Sequence, residues 1–264
     1  MKILLDEKLL KSSDNYDTIM GVVDFVNAML ESLYRPEELP REAFEVYYVD
    51  YYLAQINNGG VSQFVHNSKW STEVINHLRS GLEKMGANQH LRFFDRIATE
   101  VELLGSKLWE YLNGDYYMDN ENIRDGLNRL NEEFFKTESA EPLVELNVKF
   151  VRALPCLQVL PHDDYKAEIH RLSESVPNKV ERKAEAEQLA RSNEPSEIPV
   201  LRVLCANAGL HFEEVNGVGY TEYKGQTVHQ WHIVTSGGHR SVIFADSKAI
   251  LTDDRNRMIA ELDI

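Results

Sequence analysis

The stretch REAFEVYYVDYYLAQINNGGVSQFVHN, residues 41–67, carries the strongest structural signal in the sequence. Its first part, residues 41–57, has apolar side chains on nearly every side of a helix: Phe44, Val46, Tyr47, Tyr48, Val49, Tyr51, Tyr52, Leu53 and Ile56. A helix that is apolar all round is buried, so this one is expected at the centre of the fold. Asn58, Gly59 and Gly60 should end it, because glycine adopts the left-handed backbone of a helix C-terminus, and a short helix should follow.

Helices are expected on both sides of this segment, which makes the fold class mainly α. Residues 15–34 carry apolar side chains at helical spacing on one face. Further helices are expected at about 72–85, 89–104, 106–112, 120–136, 141–153 and 163–173. Glycine and proline mark the breaks between them, and the prolines at positions 155 and 161 close the helical body. His162, Asp163 and Asp164 follow a proline and are expected in a turn.

The period of the apolar residues changes after residue 198, where a small α+β module with an antiparallel sheet is expected. A helix at 199–207 should precede strands at 211–215, 219–223, 228–235, 240–245 and 249–252, and a closing helix is expected at 254–262. The segment before this module is strongly charged and lacks aromatic residues, as a solvated helix and linker would. We therefore expect three parts: an all-α domain at 1–173, a charged helix and linker at 174–198, and the α+β module at 199–264.

Net charge is the most informative bulk property of the chain. There are 43 acidic and 28 basic residues, which give a net charge of −15, and most of the excess lies before residue 176. Such a surface repels nucleic acids and acidic membranes and favours cationic partners. Solubility alone can also explain an acidic surface, and the sequence leaves that alternative open.

The remaining bulk features predict a cytoplasmic protein. Charged residues at positions 6–8 interrupt the apolar run that a signal peptide needs, and no stretch reaches the roughly 18 apolar residues of a membrane span. Cys156 and Cys205 both lie in apolar surroundings, so we expect buried free thiols rather than a disulfide or a nucleophile.

The segment QINNGGVSQFVHNS, residues 55–68, resembles the motif of the DNA mimic protein 19-like family, also called domain of unknown function 4375. The resemblance covers roughly residues 15–155 and includes the tyrosine-rich helix, but the C-terminal module has no counterpart. Two positions depart from the family pattern: Gln55 stands where an acid is common, and Val61 where an aromatic residue is. The resemblance implies an acidic surface that imitates duplex DNA and occupies DNA-binding proteins.

We expect the motif itself to be mainly structural. Gln63 and Asn67 share a helix face, and they can bond the free carbonyl groups at the end of the preceding helix. Phe64 should be a core anchor. The motif residues are Asn57, Asn58, Gly59, Gly60, Gln63, Phe64 and Asn67.

Any surface that imitates DNA must come from the exposed acids of the predicted helices. Acids repeat every seven residues on two of these helices, and a third carries acids opposite its apolar face. The resulting candidate partner-binding residues are Asp17, Asp24, Glu31, Asp95, Glu102, Asp115, Asp119, Glu121, Asp125, Glu132 and Glu133. Acids seven residues apart are about 10 Å apart along a helix, whereas duplex DNA carries a charge about every 3.4 Å along each strand. One stripe is therefore too sparse, and several stripes or two subunits would have to converge.

No catalytic or cofactor signature stands out. The sequence has no phosphate-binding loop, dinucleotide fingerprint or zinc-protease motif. His229 and His232 should point to opposite faces of a strand, which argues against a shared metal ion. A small hydrolase or ligand-binding site in the C-terminal module stays an alternative, with His229, His232, His239 and Asp246 as its polar candidates.

The favoured hypothesis is a non-enzymatic acidic interaction protein without a cofactor or metal. Its expected partner is a basic protein, in particular a DNA-binding protein, and not nucleic acid or a membrane; a homodimer is the assembly considered. An immunity or antitoxin-like inhibitor of a basic nuclease has the same electrostatics, and the sequence does not separate the two.

Overall fold

The computed structural model describes all 264 residues, which form two compact units: Met1–Arg182 and Lys183–Ile264. The first unit is helical, and the second contains a five-stranded antiparallel sheet, so the expected fold class is confirmed. The three-part division at residues 173 and 199 stays a prediction. No helix is long and apolar enough to cross a membrane.

The first unit contains ten helices and one pair of short strands. The helices are α1 (Glu7–Leu10), α2 (Tyr16–Glu31), α3 (Arg41–Asn67), α4 (Thr72–Met85), α5 (Asn88–Leu103), α6 (Lys107–Asn113), α7 (Glu121–Asn128), α8 (Asn131–Ala140), α9 (Leu143–Ala153) and α10 (His162–Glu174). A 3-10 helix, Pro36–Glu38, precedes α3. A further helix, α11 (Lys179–Ser192), spans the boundary between the two units in the sequence.

Helix α3 is the centre of the first unit, as its apolar pattern predicts. It packs against α2, α4, α7 and α9. The Tyr52 ring is fully buried and packs edge-on against Phe64, Phe94 and Phe134, with ring centroids 5.2–6.4 Å apart. Such edge-to-face pairs add to the stabilisation that comes from burying the ring area. The aromatic side chains thus join α5 and α8 to α3.

An ion pair to a buried carboxylate fastens α4 to α3. The Glu45 side chain is fully buried and accepts hydrogen bonds from Lys84 Nζ at 2.8 and 2.9 Å and from Ser80 Oγ at 2.7 Å. Gly81 allows this close approach, since a Cβ there would lie 2.9 Å from the Glu45 carbonyl oxygen. A buried carboxylate without such partners would be strongly destabilising.

The structure corrects three expectations about the first unit. A strand, β1 (Ile3–Asp6), pairs in parallel with β2 (Leu157–Leu160), and neither was expected, because the contact joins the two ends of the unit. The expected helix at 120–136 is divided into α7 and α8 by a turn at Arg129 and Leu130. Residues 162–164 form the first turn of α10 instead of a separate turn.

The His162 side chain links the start of α10 to the end of β1. His162 Nδ1 lies within hydrogen-bond distance of the Asp6 carboxylate, which also caps α1 by accepting from the Lys8 N–H. Burial would raise the pKa of Asp6, but these two hydrogen bonds outweigh it, and the pKa lies below its usual value. The start of α10 is thereby tied to the N-terminal strand.

In the second unit, helix α12 (Glu197–Asn207) packs on one face of the sheet. The strands β3 (Phe212–Tyr223), β4 (Gln226–Thr235), β5 (Gly238–Ala245), β6 (Lys248–Thr252) and β7 (Met258–Asp263) pair in sequence order. Two runs expected as separate strands form the single strand β3, which has register shifts near its start. The small core contains Leu201, Leu204 and Cys205 from α12, with Ile233, Val242 and Leu251 from the sheet.

The expected closing helix at 254–262 is wrong, because this segment forms the edge strand β7. Its side chains alternate, with Ala260 and Leu262 packed on the core and their neighbours exposed. The Asp253 carboxylate accepts hydrogen bonds from the backbone N–H groups of Arg255 and Arg257, which holds a turn where the helix would begin. These bonds and the Arg257 side chain lower the pKa of Asp253 to about 2.

Trp109 and the two cysteines differ in their exposure to solvent. A tryptophan is ordinarily expected in the core or at its edge, but the Trp109 side chain is 71% exposed. Both cysteines are free thiols; Cys205 is buried, whereas Cys156 is only partly buried. Burial raises the pKa of both thiols above the ordinary value, which makes them poor nucleophiles.

Candidate acidic interaction surface

The motif at the middle of α3 forms a braced break in the helix. Gly59 and Gly60 leave the helical conformation, and Gly60 has a φ of +83° that favours glycine. Two asparagines from the junction of α7 and α8 reach into the break. Asn131 Oδ1 accepts from the Val61 N–H at 2.9 Å, and Asn128 Oδ1 accepts from the Ser62 N–H at 3.1 Å. The break is therefore held by residues about 70 positions away in the sequence.

Gln63 and Asn67 brace the same break from the other side. Their side-chain amides donate to Gln55 Oε1 at 3.0 and 2.7 Å, rather than to the carbonyl groups of the preceding helix end. The hydroxyl of Tyr116 donates to the Gly59 carbonyl at 3.2 Å and lies 2.8 Å from Ser62 Oγ. Gln55 is therefore part of the hydrogen bonding around the break.

The remaining motif residues divide between the core and the surface. Phe64 is fully buried beside Tyr52, while Asn57 and Asn58 are exposed at the end of the first half of α3. Every hydrogen bond around the break joins it to another part of the same unit. These hydrogen bonds hold neighbouring helices in place, and the polar groups that form them are bonded to one another.

The predicted acids fall into two neighbourhoods of the first unit. Asp17, Asp24 and Glu31 lie on α2, which packs mainly on α3, β1 and α9 and also contacts α10. The others lie between residues 95 and 133, on α5, α7 and α8 and in the segment before α7. Helix α5 packs mainly on α4 and α8. The acids of the second neighbourhood therefore do not form a single stripe along one helix.

Basic residues neutralise four of the eleven predicted acids. Asp95 pairs with Arg79, Glu133 with Arg96, Glu132 with Lys136 at 2.6 Å, and Glu121 with Arg124 at 3.7 Å. The Lys136 hydrogen bond also lowers the pKa of Glu132. These carboxylates have less charge to offer a partner, although exposed pairs of this kind are weak.

The other seven predicted acids have no basic partner. Asp24, Glu31, Glu102 and Asp125 are exposed and make no ion pair. Asp17 accepts a hydrogen bond from the Ser12 hydroxyl. Asp115 accepts from the N–H groups of Tyr117 and Met118, and Asp119 accepts from the Asp115 N–H, so both also shape the loop before α7.

Helix α10 adds acids to the α2 neighbourhood that sequence reasoning missed. It packs on α2, and Tyr34, which follows the end of α2, donates to the Leu172 carbonyl at 3.0 Å. Burial, together with the nearby charge of Asp24, raises the pKa of Tyr165 in α10. Asp163 and Asp164 are exposed in the first turn of the same helix. Sequence reasoning missed these acids because it predicted a turn at 162–164. A turn does not indicate which helix its acids lie beside.

The polar candidates of the second unit divide among different places. His232 and His239 line a recess of about 250 Å³ with Ser241 and Asp253, and His232 Nδ1 lies 3.2 Å from Ser241 Oγ. The Asp253 carboxylate is occupied by its own turn, so it does not orient His232 as an acid in a catalytic triad would. His229 packs on Tyr220 elsewhere on the sheet.

Asp246 also lies apart from the histidines. It pairs with Lys224 at 3.0 Å. No group of three or more His, Cys, Asp or Glu side chains in the chain is arranged to hold a metal ion.

The fold and its surface define an acidic helical domain built around a broken central helix. The family model described as DMP19-like protein matches residues 37–154, which confirms the resemblance over this part of the first unit. The matched range contains α3 with its break and the acids from Asp95 to Glu133. It leaves out α2, α10 and the whole second unit. Neither a curated protein nor a solved structure matches the chain.

Proposed function

We propose that this chain is a non-enzymatic binding protein whose first unit acts as a DNA mimic toward a basic DNA-binding protein. The carrying observation is the set of exposed carboxylates that have no basic partner: Asp24 and Glu31 in one neighbourhood, and Glu102 and Asp125 in the other. The match to the DMP19-like family supports the proposal. The net charge of −15 supports it as well, since it repels nucleic acid and attracts cationic surfaces.

The spacing of the acids determines how closely this surface can match the charges of duplex DNA. Asp24 and Glu31 are seven residues apart on α2, which corresponds to a rise of about 10 Å, or about three phosphates of one DNA strand. A partner that binds DNA through lysine and arginine would therefore meet only some of the charges that a duplex presents. Asp163 and Asp164 in the first turn of α10, which packs on α2, add further negative charge to this neighbourhood.

An affinity capture with charge-reversed variants tests the proposal. The full chain is immobilised, and bound proteins are identified after elution with duplex DNA. The double variant Asp24→Lys and Glu31→Lys should weaken capture of the DNA-eluted partner by about tenfold or more, since each reversal replaces attraction by repulsion. A second double variant, Glu102→Lys and Asp125→Lys, tests the other neighbourhood.

A matched control keeps the change in net charge the same. Glu213→Lys with Glu214→Lys reverses two exposed acids of the second unit and should leave capture unchanged. The proposal fails if no DNA-binding protein is eluted by duplex DNA, or if all three double variants lose it equally. Elution of a nuclease whose activity the chain blocks would instead favour the immunity-type reading.

A further inference from the structure

Helix α6 and the loop that follows it present large apolar side chains to solvent. The exposed fractions are 71% for Trp109, 77% for Tyr117 and 71% for Met118. Beside them is a recess of about 390 Å³ lined by Trp109, Glu110, Asn113, Gly114, Asp119 and Asn120, which we call the Trp109 recess. Exposed apolar groups with a polar rim are typical of protein interaction sites, and tryptophan and tyrosine are the residues that most often dominate their binding energy.

This exposure does not result from a loosely held loop. Asp115 Oδ1 accepts from the Tyr117 and Met118 N–H groups at 2.8 and 2.9 Å. Arg124 Nη1 donates to the carbonyls of Tyr116 and Tyr117 at 2.8 and 3.0 Å. The side chain of Tyr116 turns inward and bonds the break in α3, so the loop is anchored on its inner side. The outward direction of Tyr117 and Met118 is therefore set by the fold.

His66 and Tyr111 complete this anchoring. The His66 Nε2 atom lies 3.1 Å from the Gly114 carbonyl oxygen, and the Tyr111 hydroxyl donates to the Ser62 carbonyl at 2.8 Å. Gly114 is one wall of the recess, and Tyr111 is on the same short helix as Trp109. The bracing that holds the broken central helix thus also fixes the shape of the recess.

The charges around the recess select a cationic occupant. Residues 100–121 contain six acids and one base, Lys107. Two further bases reach this segment, but both are engaged: Lys69 bonds the Leu112 carbonyl, and Arg124 pairs with Glu121 and bonds the Tyr116 and Tyr117 carbonyls. Glu110 and Asp119 line the recess itself; Glu110 makes no ion pair, and Asp119 uses only Oδ2 within the loop. A second copy of this chain would bring acid against acid, so charge complementarity favours a basic partner instead.

Among cations, a guanidinium fits these groups best. Arginine stacks on the face of tryptophan more often than lysine does, and its planar fork of N–H donors can reach two carboxylate oxygens at once. We propose that the Trp109 recess is the anchor site for an arginine side chain of a partner protein. This inference rests on the proposed function, because it identifies the contact through which a basic partner is held.

Short peptides test the inference without the natural partner. The full chain is labelled with ¹⁵N-tryptophan, which gives three indole N–H signals, and Trp109→Phe assigns the one from Trp109. The capped peptide Gly-Arg-Gly-Arg-Gly-Arg should shift the Trp109 signal and leave those of Trp70 and Trp231 in place. The lysine counterpart should bind several-fold more weakly, since it lacks the planar fork.

Two variants and a control make the result specific. In a calorimetric titration, which does not need the Trp109 signal, Trp109→Ala should weaken binding of the arginine peptide about five- to tenfold, and Trp109→Phe should restore part of it because a ring face remains. Glu110→Gln should weaken binding by a few-fold, whereas Glu213→Gln, with the same change in charge on the second unit, should not. Because the side chain of Trp109 is mostly exposed, Trp109→Ala should keep its circular dichroism spectrum and unfolding midpoint.

The outcomes separate this inference from the proposed function. Three results would each overturn the arginine site, whatever the result of the affinity capture. These are an unshifted Trp109 signal, equal binding of the two peptides, and unchanged binding by Trp109→Ala. Capture of a DNA-eluted partner that is lost in the charge-reversed variants but retained by Trp109→Ala would also overturn it and leave the proposed function intact. Failure to capture any such partner would refute the proposed function. The peptide titration would still show whether the Trp109 recess binds arginine.

Discussion

Substituting Gly60 by alanine should be one of the most costly single changes in the first unit. Gly60 has a φ of +83° and a ψ of −177°, a conformation that is essentially restricted to glycine and costs other residues about 1–3 kcal/mol. An added Cβ would also lie 2.5 Å from both Asn128 Oδ1 and Asn131 Nδ2. Those side chains would have to move and lose their bonds to Val61 and Ser62, each worth about 0.5–1.5 kcal/mol. The sum is a loss of about 2–6 kcal/mol.

Urea unfolding followed by far-ultraviolet circular dichroism measures this loss. Gly86→Ala is the matched control, because Gly86 has a φ of +73° at the end of α4 but has no atom within 4 Å of an added Cβ. The control carries only backbone strain and should cost about 1 kcal/mol. The reasoning about the asparagine bracing is refuted if Gly60→Ala is no more destabilising than Gly86→Ala.

Three further changes test other contacts of the first unit. The Tyr52 hydroxyl is buried without a hydrogen-bond partner, so Tyr52→Phe should be neutral or stabilise by about 1 kcal/mol in the same urea assay; a clear loss would reveal a bond that the structure lacks. Lys84→Met should cost about 1–3 kcal/mol, because it removes the shortest ion pair of the buried Glu45 carboxylate while Ser80 and Arg41, whose Nε lies 3.3 Å away, remain; a loss below about 1 kcal/mol would contradict this. The hydrogen bond from Arg182 lowers the pKa of Glu38 from 4.5 to about 2, so its stabilisation is complete above pH 4.5 and is lost as the pH falls toward 2. Glu38→Gln should therefore lower the urea midpoint at pH 7 but not near pH 2, and a pH-independent difference would count against the ion pair.

The sequence predicted the local features of the fold well, because they depend on short-range patterns. The apolar run of residues 41–57 predicted the buried central helix, and Gly59-Gly60 predicted its break. The turn between α7 and α8 could not be predicted in the same way. Asn128 and Asn131 bond the backbone of α3, and nothing near them in the sequence indicates that contact.

The errors at the two ends of the chain have the same physical origin. The strand β1 exists because Ile3–Asp6 pairs with Leu157–Leu160, about 150 residues away. The segment 254–262 has helix-forming residues, but its pairing with β6 places Ala260 and Leu262 on the core of the second unit. Tertiary contacts therefore overrode local propensity in both places.

The candidate surface was predictable in composition but not in detail. The sequence identified the exposed acids Asp24, Glu31, Glu102 and Asp125, but the spacing of acids does not reveal which ones meet a base. Arg79 and Arg96 neutralise Asp95 and Glu133 across helices, at separations of 16 and 37 residues. The Trp109 recess was not predictable because tryptophan usually lies in or beside a core, and only the fold places this one at the surface.

A competition measurement tests the central claim most directly. A fluorescently labelled duplex is bound to the captured DNA-binding partner, and the full chain is added while anisotropy is followed at several salt concentrations. A DNA mimic occupies the same basic surface, so the duplex should be released, and the concentration of chain needed for release should rise steeply with salt. A stable complex of partner, duplex and chain together, or a release that does not depend on salt, would contradict the account.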